Sequence, residues 1–141
     1  MSRPWDKLIS DADRAVYEAA GFGRPIGLGE RPALLVIDVQ YRTTGSESMP
    51  ILQAIKDEYP TACGEYAWRA IPNIAQLIAV FRARNLPVIY PVVAPKNHHD
   101  GRGFGAKAPS ILTVRPKGDE IVADVAPAPG ELTLPKAHAS A

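Results

Sequence analysis

Two charged residues close two apolar runs. Asp38 follows Ala33-Leu34-Leu35-Val36-Ile37, and Lys136 comes directly after Leu134-Pro135 in the run that starts at Glu131. In an open α/β sheet, ligands bind beyond the carboxyl ends of the strands, so both residues stand where chemistry is done. A strand-end carboxylate is a natural base for a proton on a neighbouring nucleophile. Taken singly, each also has an ordinary reading: Asp38 as a turn or helix-capping aspartate, and Lys136 as an exposed lysine. The one cysteine, Cys63, lies in the loop Pro60-Thr61-Ala62-Cys63-Gly64, where a buried or incidental thiol is the expectation.

Other residues attract attention for weaker reasons. His98-His99-Asp100 carries metal-ligating side chains, but adjacent histidines rarely converge on one ion, and solvated loop histidines are expected. The run Gly101-Arg102-Gly103-Phe104-Gly105-Ala106-Lys107 lacks the four-residue gap before Gly-Lys, and the Ser or Thr after it, that a phosphate loop requires. Lys96, Arg102, Lys107, Arg115 and Lys117 give residues 96–117 a positive bias. From it, Arg102 is the candidate to hold a substrate carboxylate through paired hydrogen bonds, with solvated charge as the alternative.

Positioning Asp38 and Lys136 at one edge requires a parallel sheet. Trp5, Leu8, Ile9, Ala12, Val16 and Ala19 fall at helical spacing, with Pro4 at the start and Gly21 as the C-terminal cap. Residues 21–30 hold four glycines and a proline and read as a connector. Residues 33–37 and 87–93 are continuous apolar runs, typical of strands buried on both faces of a parallel sheet. Between them, Ile71, Ile74, Leu77, Ile78 and Phe81 form a helical stripe. Pro72 is expected near its N-terminus, and Arg82, Arg84 and Asn85 at its C-terminal end. This is a β-α-β unit. A Gly-rich loop at 96–108, a short stripe with Ile121, Val122 and Val125, and a turn at Pro127-Ala128-Pro129-Gly130 lead to a third strand at 131–134. Residues 42–65 form a long loop, either a lid or a surface insertion. The fold class is α/β, a three-layer α/β/α arrangement with a mainly parallel sheet.

Composition narrows the function classes. A chain of 141 residues, 46% hydrophobic and 22% charged, suits a single globular domain with a real core. A formal charge of +1 lacks the basic balance that phosphate backbones select, so nucleic acid is not an expected partner. One cysteine permits no internal disulfide, which points to a reducing compartment and hence to the cytoplasm. The first ten residues read as neither signal nor transit peptide, and no run approaches the roughly 18 apolar residues of a membrane span.

The stretch Arg31-Pro32-Ala33-Leu34-Leu35-Val36-Ile37-Asp38-Val39-Gln40 resembles the first-strand signature of isochorismatase-like cysteine hydrolases. Ile71-Pro72-Asn73-Ile74 through Leu86-Pro87-Val88-Ile89-Tyr90 resembles the helix and second strand of that family. Pro129-Gly130-Glu131-Leu132-Thr133-Leu134-Pro135-Lys136 is similar to the segment that delivers its lysine. The branch most resembled is the N-carbamoylsarcosine amidohydrolase-like one.

The resemblance implies a Rossmann-like topology that is incomplete in this chain, with residues 1–30 as N-terminal helix and connector and residues 31–141 as the first three strands with their crossovers. It also implies an Asp-Lys-Cys triad. A thiolate attacks an amide or carbamoyl carbon, ammonia leaves, and water resolves the acyl-enzyme. Asp38 would be the base and Lys136 the ammonium that favours thiolate; Gln40 and, from the charge bias of its loop, Arg102 are the candidate substrate contacts. The nucleophilic cysteine belongs beyond Ala141, so a complementary C-terminal polypeptide is the expected partner, together with self-association into a homo-oligomer. No cofactor or metal is expected. Relatives commonly follow the Asp-x-Gln with Asn and an aromatic residue; here Tyr41-Arg42-Thr43-Thr44 stands instead, implying a different substrate wall. A noncatalytic binding or interaction fragment of the same fold is the alternative.

Overall fold

The computed structural model describes residues 4–27, 29–94, 104–112 and 117–136. The chain divides into two compact units, Met1–Arg31 and Pro32–Ala141.

The first unit is built on α1, Asp11–Ala19. The helix starts later than its apolar spacing suggests because Ser10 is the N-cap, its hydroxyl oxygen accepting the Asp13 N–H at 3.1 Å. Asp11 and Asp13 then place negative charge on the positive end of the helix dipole. The C-terminus closes as a Schellman motif around Gly21, at φ +75°. Phe22 N–H donates to Tyr17 O at 2.9 Å and Gly21 N–H to Glu18 O at 3.1 Å. The Tyr17 and Phe22 rings meet edge to face, 6.0 Å apart.

The second unit carries a three-stranded sheet in the order β1 (Leu34–Leu35), β2 (Val88–Val93), β3 (Leu132–Lys136), with both pairings parallel. β1 is formally short, yet N–H groups of Leu34, Val36 and Asp38 donate to Pro87, Ile89 and Pro91 carbonyls at 2.8–2.9 Å, carrying the ladder on to Asp38. Two short helices, α2 (Tyr41–Thr44) and α3 (Ile51–Asp57), occupy much of the expected long loop. The crossover helix α4, Glu65–Ala83, begins well before its apolar stripe and holds Pro72 in its interior rather than near its start. Pro72 has no N–H to offer Trp68 O, and the 19-residue helix tolerates the missing bond. A further short helix, α5 (Phe104–Lys107), and 3₁₀ turns at Pro109–Leu112 and Ala123–Val125 complete the described elements. No helix among the described residues is long and apolar enough to cross a membrane.

The core lies on one face of the sheet. Val36, Val88, Tyr90 and Val92 pack against Ile71 and Ile78 of α4 and against Val122 and Val125. The expectation of a fully buried first strand holds for Val36 but not for its neighbours. Leu35 and Ile37 are 49% and 47% exposed, because alternate residues point to the opposite face, which the described residues leave largely uncovered. Among the described residues, β1 is paired along one edge, with β2.

The start of β3 is tied to the end of α4 by a bidentate ion pair. Arg82 Nε and Nη2 donate to Glu131 Oε1 and Oε2, each at 2.8 Å, and Arg82 also reaches Tyr90 Oη and Ala126 O. These bonds, helped by Ala128 N–H, hold the Glu131 carboxyl down to about 2, and burial pushes the Tyr90 phenol up. A carboxyl lowered on folding stabilises the native state fully above its unfolded value, near 4.5, and loses that contribution as pH falls toward 2. Solvent around the partly exposed guanidinium screens the pair, so the expected loss is about 1 kcal/mol. Urea unfolding at pH 6 and pH 2.5 checks it: Glu131→Gln should lose about 1 kcal/mol less than wild type over that interval, and equal losses would deny the pair its role.

Candidate active site

Asp38 marks the point where β1 leaves the sheet. Its N–H makes the last ladder bond, to Pro91 O at 2.9 Å, and its φ of +55° turns the chain away. Aspartate is among the few residues that adopt this left-handed conformation at modest cost. The turn is held from the far side: Gln40 N–H donates to Asp38 O at 2.9 Å, and the Thr43 hydroxyl is bonded to Asp38 O and Gln40 O. α2 begins immediately afterwards.

Lys136 is the last residue of β3, which runs two residues beyond the expected strand, and it stands in register with Val93 of β2. Asp38 and Lys136 therefore sit on strands separated by β2, roughly 10 Å apart at two inter-strand spacings. The long lysine stem closes that gap. Lys136 Nζ lies 2.8 Å from Asp38 Oδ2, with side-chain exposures of 10% and 29%. The second carboxylate oxygen, Oδ1, is buried and has no hydrogen-bond partner among the described residues. The exposed part of the carboxylate therefore lies on the Oδ2 side, where Lys136 makes its charge-assisted contact.

The segment 117–122 forms the wall beside this pair. Tyr41 and Arg42 N–H groups donate to Glu120 and Gly118 carbonyls, Val122 N–H donates to Val39 O, and Gln40 bridges Ile121 in antiparallel fashion. Arg42, nearly buried, pairs with Asp119 at 3.1 Å. Asp119 gave no signal in the sequence, and Arg42 and Thr43 stood out only as part of the Tyr-Arg-Thr-Thr run expected to change the substrate wall.

Gln40, expected as a substrate contact, is fully buried, and its amide is bonded to Val93 and Asp119 backbone. Cys63 is exposed rather than buried, with its N–H donating to Thr43 O at 2.8 Å. Arg102, Lys96, His98, His99 and Asp100 lie outside the described residues. Among the described residues, no three His, Cys, Asp or Glu side chains gather as a metal site.

The fold is that of an α/β protein with a parallel sheet, and a carboxylate and an ammonium pair beyond its carboxyl edge. Residues 32–141 match the isochorismatase domain, and the chain belongs to that family. It is 29% identical over 138 residues to N-carbamoylsarcosine amidase from Arthrobacter sp, covering 93% of this chain and 48% of that protein. The solved structure of an isochorismatase family protein from Desulfovibrio vulgaris subsp. vulgaris str. Hildenborough is similar with a TM-score of 0.54 and 29% identity, over 74% of this chain and 51% of that one. The chain thus spans about half the length of these relatives.

Proposed function

We propose that this chain contributes the Asp-Lys part of a cysteine hydrolase that cleaves a C–N bond of a small amide or N-carbamoyl compound and releases ammonia. The observation that carries the reading is the Asp38–Lys136 ion pair at the carboxyl edge of the sheet. A thiol brought to the solvent-facing side of the Asp38 carboxylate would lose its proton there, and the adjacent ammonium would favour the thiolate. The thiolate attacks the carbonyl carbon, and the C–N bond breaks as the departing nitrogen takes up the proton. Water then cleaves the thioester, with Asp38 again serving as base. The N-carbamoylsarcosine amidase relative makes N-carbamoyl amino acids the first substrates to try.

The nucleophile in this reading comes from a complementary polypeptide that also covers the free edge of β1. Leu35 and Ile37 are half exposed on the open face beside that edge, and residues 34–37 contain no charge or proline of the kind that protects an edge strand. The test mixes this chain with a cysteine-bearing C-terminal half of an isochorismatase domain. Co-elution on size exclusion, with ammonia released from N-carbamoyl amino acids by the mixture alone, is the expected result. A monodisperse 141-residue monomer that ignores the added half overturns the partner. Substrate binding without ammonia would favour a noncatalytic fragment.

A further inference from the structure

We infer that Gln40 is the positioning residue that holds Asp38 and Lys136 at bonding distance, by taking the place of β1 as the partner of β2 beyond Pro91. The β1-facing groups of β2 belong to alternate residues: Ile89 O and Pro91 O accept from Val36 and Asp38. Pro91 has no N–H, so it returns nothing to β1 at this rung. The next β1-facing donor is Val93. In a continued parallel ladder its N–H would go to Asp38 O. That carbonyl has turned away with the +55° φ of Asp38 and is taken by Gln40 N–H and the Thr43 hydroxyl.

The Gln40 side chain fills the missing rung. Its Oε1 accepts Val93 N–H at 2.9 Å, and its Nε2 donates to Asp119 O at 2.6 Å and approaches Val93 O at 3.5 Å. A primary amide carries an acceptor and two donors, so it can stand in for a peptide group at a buried position. Val93 is the register partner of Lys136, and Ala94 N–H fixes the same end of β3 through Lys136 O at 3.0 Å. Gln40 therefore holds the end of β2, the strand on which Lys136 is registered, with its side chain and the Asp38 carbonyl with its own N–H. Its value for catalysis rests on the roles given above to Asp38 and Lys136, whereas the holding itself does not.

The test uses labelled full-length chain and two readouts independent of turnover. One is the hydrogen-bond scalar coupling between Lys136 Nζ and Asp38 Cγ in cold NMR spectra; the other is amide exchange at Val93, with Leu34 and Val36 as references. Gln40→Met should abolish the coupling and speed Val93 exchange about 10-fold or more, leaving the references within about 3-fold. Gln40→Glu in its protonated form keeps a carbonyl acceptor for Val93 N–H and an O–H donor for Asp119 O, and should retain both the coupling and Val93 protection. The inference is overturned if Gln40→Met keeps the coupling, or if Leu34 and Val36 lose protection along with Val93. Should Gln40→Met fail to fold, Gln40→Glu decides alone: loss of the coupling with Val93 still protected overturns it. Ammonia release, measured separately, tests the catalytic reading and not this one.

Discussion

Asp38→Asn is expected to lower kcat/KM for ammonia release by about 10³-fold or more in the assembled hydrolase, with a loss of stability of only about 1 kcal/mol. The amide is nearly isosteric and can still accept from Lys136 Nζ, but it cannot take a proton from a thiol. Asparagine is the informative replacement because it tolerates the left-handed φ of +55° found here; alanine would mix catalytic loss with backbone strain. General-base effects commonly reach 10²–10⁴, and groups that act as one unit lose most of their effect together. Lys136→Met in the same assay should cost a similar factor, and the double variant little more than either alone. Near-wild-type turnover by Asp38→Asn would remove Asp38 from the mechanism.

The largest stability loss is expected at Gly64, the residue before α4. Its φ of +53° and ψ of −132° belong to a region that L side chains rarely enter. A Cβ there would lie 2.6 Å from Met49 O, 3.1 Å from Ile51 Cα and 3.2 Å from Ile51 N. All three are backbone atoms, so no rotamer change relieves the contact. Met49 O is moreover held in place by Glu65 N–H at 2.8 Å. Gly64→Ala should therefore cost about 3 kcal/mol or more in urea unfolding, strain and overpacking adding together. Gly130→Ala is the control: φ is +90°, yet a Cβ meets nothing within 4 Å, so the cost should be smaller, about 1 kcal/mol. Equal losses at the two positions would show that dihedral strain alone accounts for the effect at Gly64.

Several features of this protein could be read from one dimension because short-range physics controls them. Continuous apolar runs at 33–37 and 87–93 specify strands of a parallel sheet, and the stripe containing Ile71, Ile74 and Ile78 specifies the helix that crosses between them. Gly21 ends α1 because the Schellman geometry needs a positive φ there. Local signals also compete. The Ser10 cap outweighed the apolar spacing from Trp5 onward, and Gly64 allowed α4 to start ahead of Pro72.

Which residues would stand at the strand ends was therefore a property of the sequence; how they meet was not. Asp38 and Lys136 come from strands that are not neighbours, and only the order β1-β2-β3 with the Val93–Lys136 register sets the span a lysine stem must cross. Gln40 makes the same point more sharply. In sequence it is one polar residue two places after a carboxylate, with partners 53 and 79 positions away. Apolar side chains declare their burial through periodicity, because the hydrophobic effect is non-directional and every residue on a face shares it. A buried amide has no such period: its place depends on single donors and acceptors supplied by distant segments, and these come together only when the sheet has formed.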